Sequence, residues 1–144
     1  PEGAWDVTCL LVQPTSDIVA TDFDGDGKLE ILTFSKFHGD TLAIWHEGQT
    51  RDRYEQVWCD PQKRSFLHAL WAADLNGEKC AVIGNRKDGR DLLLVRYVDG
   101  EYTVDVIDHD LGPANCMVYR HDGSDYIVAA YRETDQLALY KVVE

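Results

Sequence analysis

Ile31-Leu-Thr-Phe-Ser-Lys36, followed by Leu42-Ala-Ile-Trp45, is the stretch on which the fold turns. Each half is a short apolar segment, and the turn residues between them include Gly39. That is the pattern of two paired β-strands. The same pattern returns as Ala81-Val-Ile-Gly-Asn-Arg86 with Leu92-Leu-Leu-Val95, and again as Ile127-Val-Ala-Ala-Tyr-Arg132 with Leu137-Ala-Leu-Tyr140. Lys36 and Arg86 are 50 residues apart, Arg86 and Arg132 are 46 apart. A second landmark, an aromatic opening a strand, recurs at Trp5, Tyr54 and Tyr102, with steps of 49 and 48. Two independent landmarks thus share a period near 48.

Working outward, the chain divides into twelve short strands from Trp5 to Val142, separated by Gly-rich turns, with no helical periodicity. Four strands per period of this length is the signature of propeller blades. The predicted fold is therefore all-β, a β-propeller segment over residues 1–144. An outer strand spans 5–12, blades span 16–59 and 67–107, and a third blade spans 114–144 without an outer strand of its own. The strand at 5–12 is expected to belong to the outer position of another blade or of the last one. Three blades fall short of the usual closed ring of about four to eight. Missing blades of the same protein, or further copies of the chain, are expected to complete it. A lone arc would leave flat apolar faces exposed.

Composition sets the outer limits. The 144 residues carry 14 Lys+Arg and 26 Asp+Glu, a formal net charge of −12, and 44% are hydrophobic. That apolar share is too high for a disordered chain. An acidic surface does not grip nucleic acid phosphates. No apolar run approaches the roughly 18 residues of a membrane-spanning helix. Carboxylates at this density suit divalent cations instead. Cys9, Cys59, Cys80 and Cys116 form no CxxC pair, and their apolar neighbours mark them as buried free thiols. The chain opens at Pro1 and not at a Met, as expected if a leader was removed or if this is a piece of a longer chain, so its compartment is not read from this end.

The clearest chemistry lies in Asp22-Phe-Asp24-Gly-Asp26-Gly-Lys28-Leu-Glu30. Carboxylates fall at positions 1, 3, 5 and 9, with glycine at 4 and 6. Calcium takes six to eight hard oxygen ligands, and alternating Asp residues in a tight turn can aim theirs at one centre. Gly25 and Gly27 permit the necessary backbone twist. The Lys28 carbonyl is placed as a further ligand, and Glu30 closes the site. An EF-hand would close at position 12 within helices. Here β-like segments flank the loop.

The stretch Ile18–Leu32 resembles an FG-GAP or VCBS-type repeat, a β-propeller family with calcium held between the first two strands of a blade. The resemblance implies that Asp22, Asp24, Asp26, Lys28 and Glu30 hold one structural Ca2+. It also favours an extracellular setting, while free thiols equally allow a cytoplasmic one. The sister loops depart from the motif. Asp74-Leu-Asn76-Gly77-Glu78 is two residues shorter, and Arg120-His-Asp122-Gly-Ser-Asp125 puts a cation first. Asp74, Asn76 and Glu78 could hold a cation weakly, but a plain turn is expected there, and no metal in the third loop.

On the opposite face, Lys36, Arg86 and Arg132 recur at equivalent points, beside Ser16, His68 and Asn115 just ahead of the innermost strands. An arc of positive charge at the channel mouth suits an anionic or carbohydrate ligand. Each cation also has an acid nearby for a salt bridge between blades: Asp40, then Asp88 or Asp91, then Glu133 or Asp135. His68 is a candidate general base with Arg86, or a hydrogen-bonded inner-strand residue. His38, His46, His109 and His121 read as surface residues near turns, and Trp45, Trp58 and Trp71 as packing between blades. The first reading is a non-catalytic calcium-binding module for ligand or protein binding. The alternative is a carbohydrate-active enzyme, lyase- or dehydratase-like, with its site at the channel mouth.

Overall fold

The structure is a computed structural model and describes residues 3–143. Strands β1 (Thr15–Thr21), β2 (Glu30–Ser35), β3 (Thr41–Glu47) and β4 (Tyr54–Cys59) form a first sheet. Strands β5 (Ser65–Leu75), β6 (Glu78–Lys87), β7 (Leu92–Val98) and β8 (Glu101–Asp108) form a second. A third holds β9 (Pro113–His121), β10 (Ser124–Tyr131) and β11 (Gln136–Lys141). Within each sheet every strand pairs antiparallel with its neighbour in chain order, so each sheet is a meander, and none closes on itself. The described residues are all-β and contain no helix, hence none long and apolar enough to cross a membrane.

The sheets stack through two cores. Phe23, Leu32, Phe34, Leu42 and Ile44 of the first sheet's side meet Leu67, Ala81, Ile83, Leu93 and Val95 of the second. Ala69, Cys80, Val82 and Leu92 of the second meet Cys116, Ile127, Ala129 and Tyr131 of the third. Because side chains alternate along a strand, β6 feeds both cores: Ala81 and Ile83 point one way, Cys80 and Val82 the other. All four are fully buried. The continuous apolar run at 80–83 is thus the mark of a strand covered on both faces.

The opening strands gather together, since β5 touches β1 on one side and β9 on the other. Each of the three carries a bulge, a residue the ladder skips. Ser16 is passed between Thr15 and Asp17, His68 between Leu67 and Ala69, and Ala114 between Pro113 and Asn115. The sequence placed Asn115 in this equivalent position, and the structure moves it one residue back to Ala114.

Two further expectations change. Residues 5–12 form no strand. Their apolar alternation supplies propensity, but a strand persists only where a partner edge satisfies its N–H and C=O groups, and here Trp5, Val7 and Val12 lie exposed. The thiols divide: Cys80 and Cys116 are buried, Cys9 and Cys59 exposed. Cys9 lies in the strandless segment, and Cys59 ends the edge strand β4. On the third sheet, Met117, Tyr119, Leu137 and Leu139 form an exposed apolar face.

Candidate metal centre

The β1–β2 loop is shaped by its own carboxylates. The Phe23 N–H donates to Glu30 Oε2 at 2.7 Å, and the Gly27 N–H to Asp22 Oδ2 at 3.1 Å. The Asp26 N–H donates to Asp24 Oδ1 at 3.0 Å, and the Lys28 N–H to Asp26 Oδ1 at 2.8 Å. Gly25 and Gly27 take φ of 75° and 86°, a left-handed backbone that glycine enters without cost. Each carboxylate therefore spends one oxygen on the loop backbone, and Asp26 turns its other to His46. Asp22 Oδ1 and Glu30 Oε1 are buried and receive no hydrogen bond. Glu30 is 0% exposed. Asp22, Asp24 and Asp26 can bring one ligand atom each within 4.8 Å of one another, and Asp24, Glu30 and His46 can do the same.

His46 is the member that sequence reading missed. It sits on β3, where Ile31 pairs with Trp45. One step along the hairpin, His46 lies opposite Glu30, and opposed residues share a sheet face. Its Nε2 is 3.2 Å from Asp26 Oδ2 and 3.6 Å from Glu30 Oε1. Its Nδ1 donates to the Glu47 carbonyl at 2.8 Å, because a carbonyl only accepts. The hairpin register was the signal that could have found it, since 30 and 46 are equidistant from the turn.

The charges respond to this crowding. Burial pushes the Glu30 carboxyl above its usual value; the Phe23 N–H opposes this, and the charge of Asp24 adds to it. Burial alone would lower the His46 imidazole, but the Glu47 carbonyl, Asp26 and Glu30 carry it above its usual value. The Lys28 N–H, and then His46, hold Asp26 below the usual carboxylate range. Beside the loop lies a cleft of about 540 Å³ lined in part by Asp24, His46, Trp58, Tyr97 and Tyr102.

The sister loops meet their charges with protein cations. Lys79 Nζ lies 2.7 Å from Asp74 Oδ2. Asp125, 2% exposed, accepts the Asn76 N–H at 2.8 Å and faces Arg120 Nε at 3.7 Å. The second and third loops are thereby tied to each other.

The basic trio of the opposite face is spread out. Arg86 reaches neither Asp88 nor Asp91: it donates to Glu133 Oε1 from Nε at 3.1 Å and Nη2 at 2.6 Å. Arg132 Nη1 lies 3.8 Å from the same oxygen. One acid in the β10–β11 turn thus serves Arg86 of β6 and its own chain neighbour Arg132. Lys36 is exposed in the β2–β3 turn, while Asp40 faces Lys63 at 3.7 Å. Asn115 Oδ1 accepts the Cys116 N–H. His68 Nδ1 bonds the Ala114 carbonyl at 2.9 Å, and its ring stacks on His38, 5.1 Å between centroids. His38 stacks in turn on Phe66, over whose ring Arg86 sits at 4.9 Å. Sequence reading left His38 on the surface, outside this stack.

Trp58 packs against the first core, whereas Trp71 is 40% exposed beside Met117. A scan against protein-family models finds no match for this chain, and neither does a search of curated proteins.

Proposed function

We propose that the chain is a segment of a calcium-binding β-propeller, similar to FG-GAP or VCBS repeats, that serves as a non-catalytic module for binding a ligand or protein. One observation carries the calcium reading. Asp22 Oδ1 and Glu30 Oε1 are buried carboxylate oxygens without hydrogen-bond donors, in the loop that also holds Asp24 and Asp26. Like charges this close are unfavourable without a cation. Ca2+ accepts several oxygens in flexible geometry, which fits a loop of Asp side chains and carbonyls, Lys28 included.

The period near 48 and the side-by-side opening strands β1, β5 and β9 support the propeller. The apolar face of Met117, Tyr119, Leu137 and Leu139 is where a further blade belongs, from the same protein or a second copy. Arg86 and His68, the residues an enzyme would need at the channel mouth, spend their contacts joining the second and third sheets. That favours binding over catalysis. An anionic or carbohydrate ligand has the cleft of about 560 Å³ lined by Arg86, Lys87, Asp88, Arg90, Arg132 and Glu133.

Thermal melting with and without chelator tests the site. Ca2+ at a hundred times its dissociation constant stabilises by about 2.7 kcal/mol, so chelation lowers the melting temperature. Asp24→Ala removes that sensitivity. A melting temperature indifferent to chelator overturns the calcium reading.

A further inference from the structure

We infer that the loop also takes a second class of cation, a transition-metal dication such as Zn2+, held by Asp24, Glu30 and His46. This rests on the reading of the loop as a cation site but uses a different set of donors. Three observations carry it.

First, Glu30 Oε1 is fully buried and has no hydrogen-bond donor. A carboxylate oxygen removed from water and left unpaired is costly. It lies on the His46 side of the loop, 3.6 Å from Nε2.

Second, His46 is oriented as metal-binding histidines are. Its Nδ1–H is committed to the Glu47 carbonyl, the outer-shell bond that fixes ring and tautomer. Nε2 faces Asp26 Oδ2 at 3.2 Å and Glu30 Oε1 at 3.6 Å: with a proton it donates to Asp26, and without one it turns its lone pair on both oxygens. A lone pair facing carboxylates is repulsive unless a cation, either a proton or a metal, lies between them.

Third, the separation of Nε2 and Glu30 Oε1 suits a small ion. Zn–N and Zn–O bonds of about 2.0–2.2 Å place tetrahedral donors about 3.3–3.6 Å apart. Nε2 stands 3.6 Å from Glu30 Oε1, and Asp24, Glu30 and His46 bring their donor atoms within 4.8 Å of one another.

Nitrogen is the deciding donor. Ca2+ is bound through oxygen, whereas imidazole suits Zn2+ and its first-row neighbours. Three protein ligands leave a fourth position for water, as open zinc sites do. The cleft beside Asp24 and His46 supplies solvent to it. Asp24 and Glu30 belong to both ligand sets, so the two ions compete.

The test uses the full chain, stripped of metal. Zn2+ and Ca2+ are titrated separately by calorimetry, and the histidine ring nitrogens are followed by NMR. One equivalent of Zn2+ is expected to move the His46 Nε2 resonance and leave its Nδ1–H in place. His46→Gln weakens Zn2+ at least tenfold, since even outer-shell losses cost about 10–100-fold, and changes Ca2+ binding less than Zn2+ binding. Asp22→Asn does the reverse.

Equal Zn2+ affinity in wild type and His46→Gln overturns the inference. So does a wild-type His46 resonance unmoved by one equivalent, a result that depends on no variant folding. If Zn2+ binds through His46 while Ca2+ gives neither heat nor a melting shift, the calcium reading fails and this one stands. If Ca2+ binds and His46 ignores Zn2+, this inference fails alone.

Discussion

His68 Nδ1 donates to the Ala114 carbonyl at 2.9 Å, and each of these residues is the one its own strand's ladder skips. A bulge turns a residue out of the regular pairing and re-aims it. Here two bulges, 46 residues apart in the chain, are joined to each other. The second sheet is thereby pinned to the third at the gathered ends of β5 and β9. His68→Ala leaves the Ala114 carbonyl without this partner and is expected to cost about 1 kcal/mol. Urea denaturation measures it, and an unchanged midpoint would show that the bond contributes nothing net.

Glu30 makes the metal-free protein sensitive to pH. Burial and the neighbouring Asp24 raise its native pKa above the usual 4.5. As pH rises from 4.5 toward that raised value, the native state holds more protons than the unfolded one. Stability therefore falls with rising pH across that window and stays lower above it. Glu30→Gln keeps an acceptor for the Phe23 N–H and removes the charge. Melts in chelator should show wild type losing ground to Glu30→Gln as pH rises. Two parallel curves would contradict the buried unpaired carboxylate.

Gly84 of β6 lies tight against Pro113 of β9. A Cβ built there would come within 2.5 Å of the Pro113 carbonyl oxygen and 2.7 Å of Ala69 Cβ. Neither neighbour is a flexible side-chain end, so Gly84→Ala must push β6 away from β9. Such overpacking costs about 1–3 kcal/mol. A Gly84→Ala protein as stable as wild type would mean the sheets separate freely at this point.

Thiol chemistry separates the cysteines into pairs. Burial pushes the Cys80 thiol up to about 11 and the Cys116 thiol up to about 12, so neither forms the reactive thiolate near neutral pH. Cys9 and Cys59 are exposed. A thiol reagent at pH 7.5 is expected to label two sites quickly in the folded protein and four after denaturation. Fast labelling of all four would show that the second core opens readily.

The chelator and Zn2+ experiments bear on the loop itself. Its carboxylate spacing was plain in the sequence, because Asp22, Asp24, Asp26 and Glu30 are local and their turn chemistry is encoded within nine residues. His46 was not, because its place depends on the register of the hairpin, and register is settled by packing on both faces. Cations also went to unexpected acids. Arg86 bypasses Asp88 and Asp91, its neighbours in the chain, for Glu133 on the next sheet.

The sequence by itself determined the strands, their period near 48 and the acidic loop. Apolar alternation, glycine placement and Asp spacing act over a few residues and need no distant partner. The tertiary structure alone decided what those strands meet. Residues 5–12 have the alternation of a strand but no edge to pair with. Trp71 reads as packing between blades, yet it is 40% exposed. Burial and pairing belong to the surfaces that come together, and those are set by stacking between sheets that a local pattern does not record.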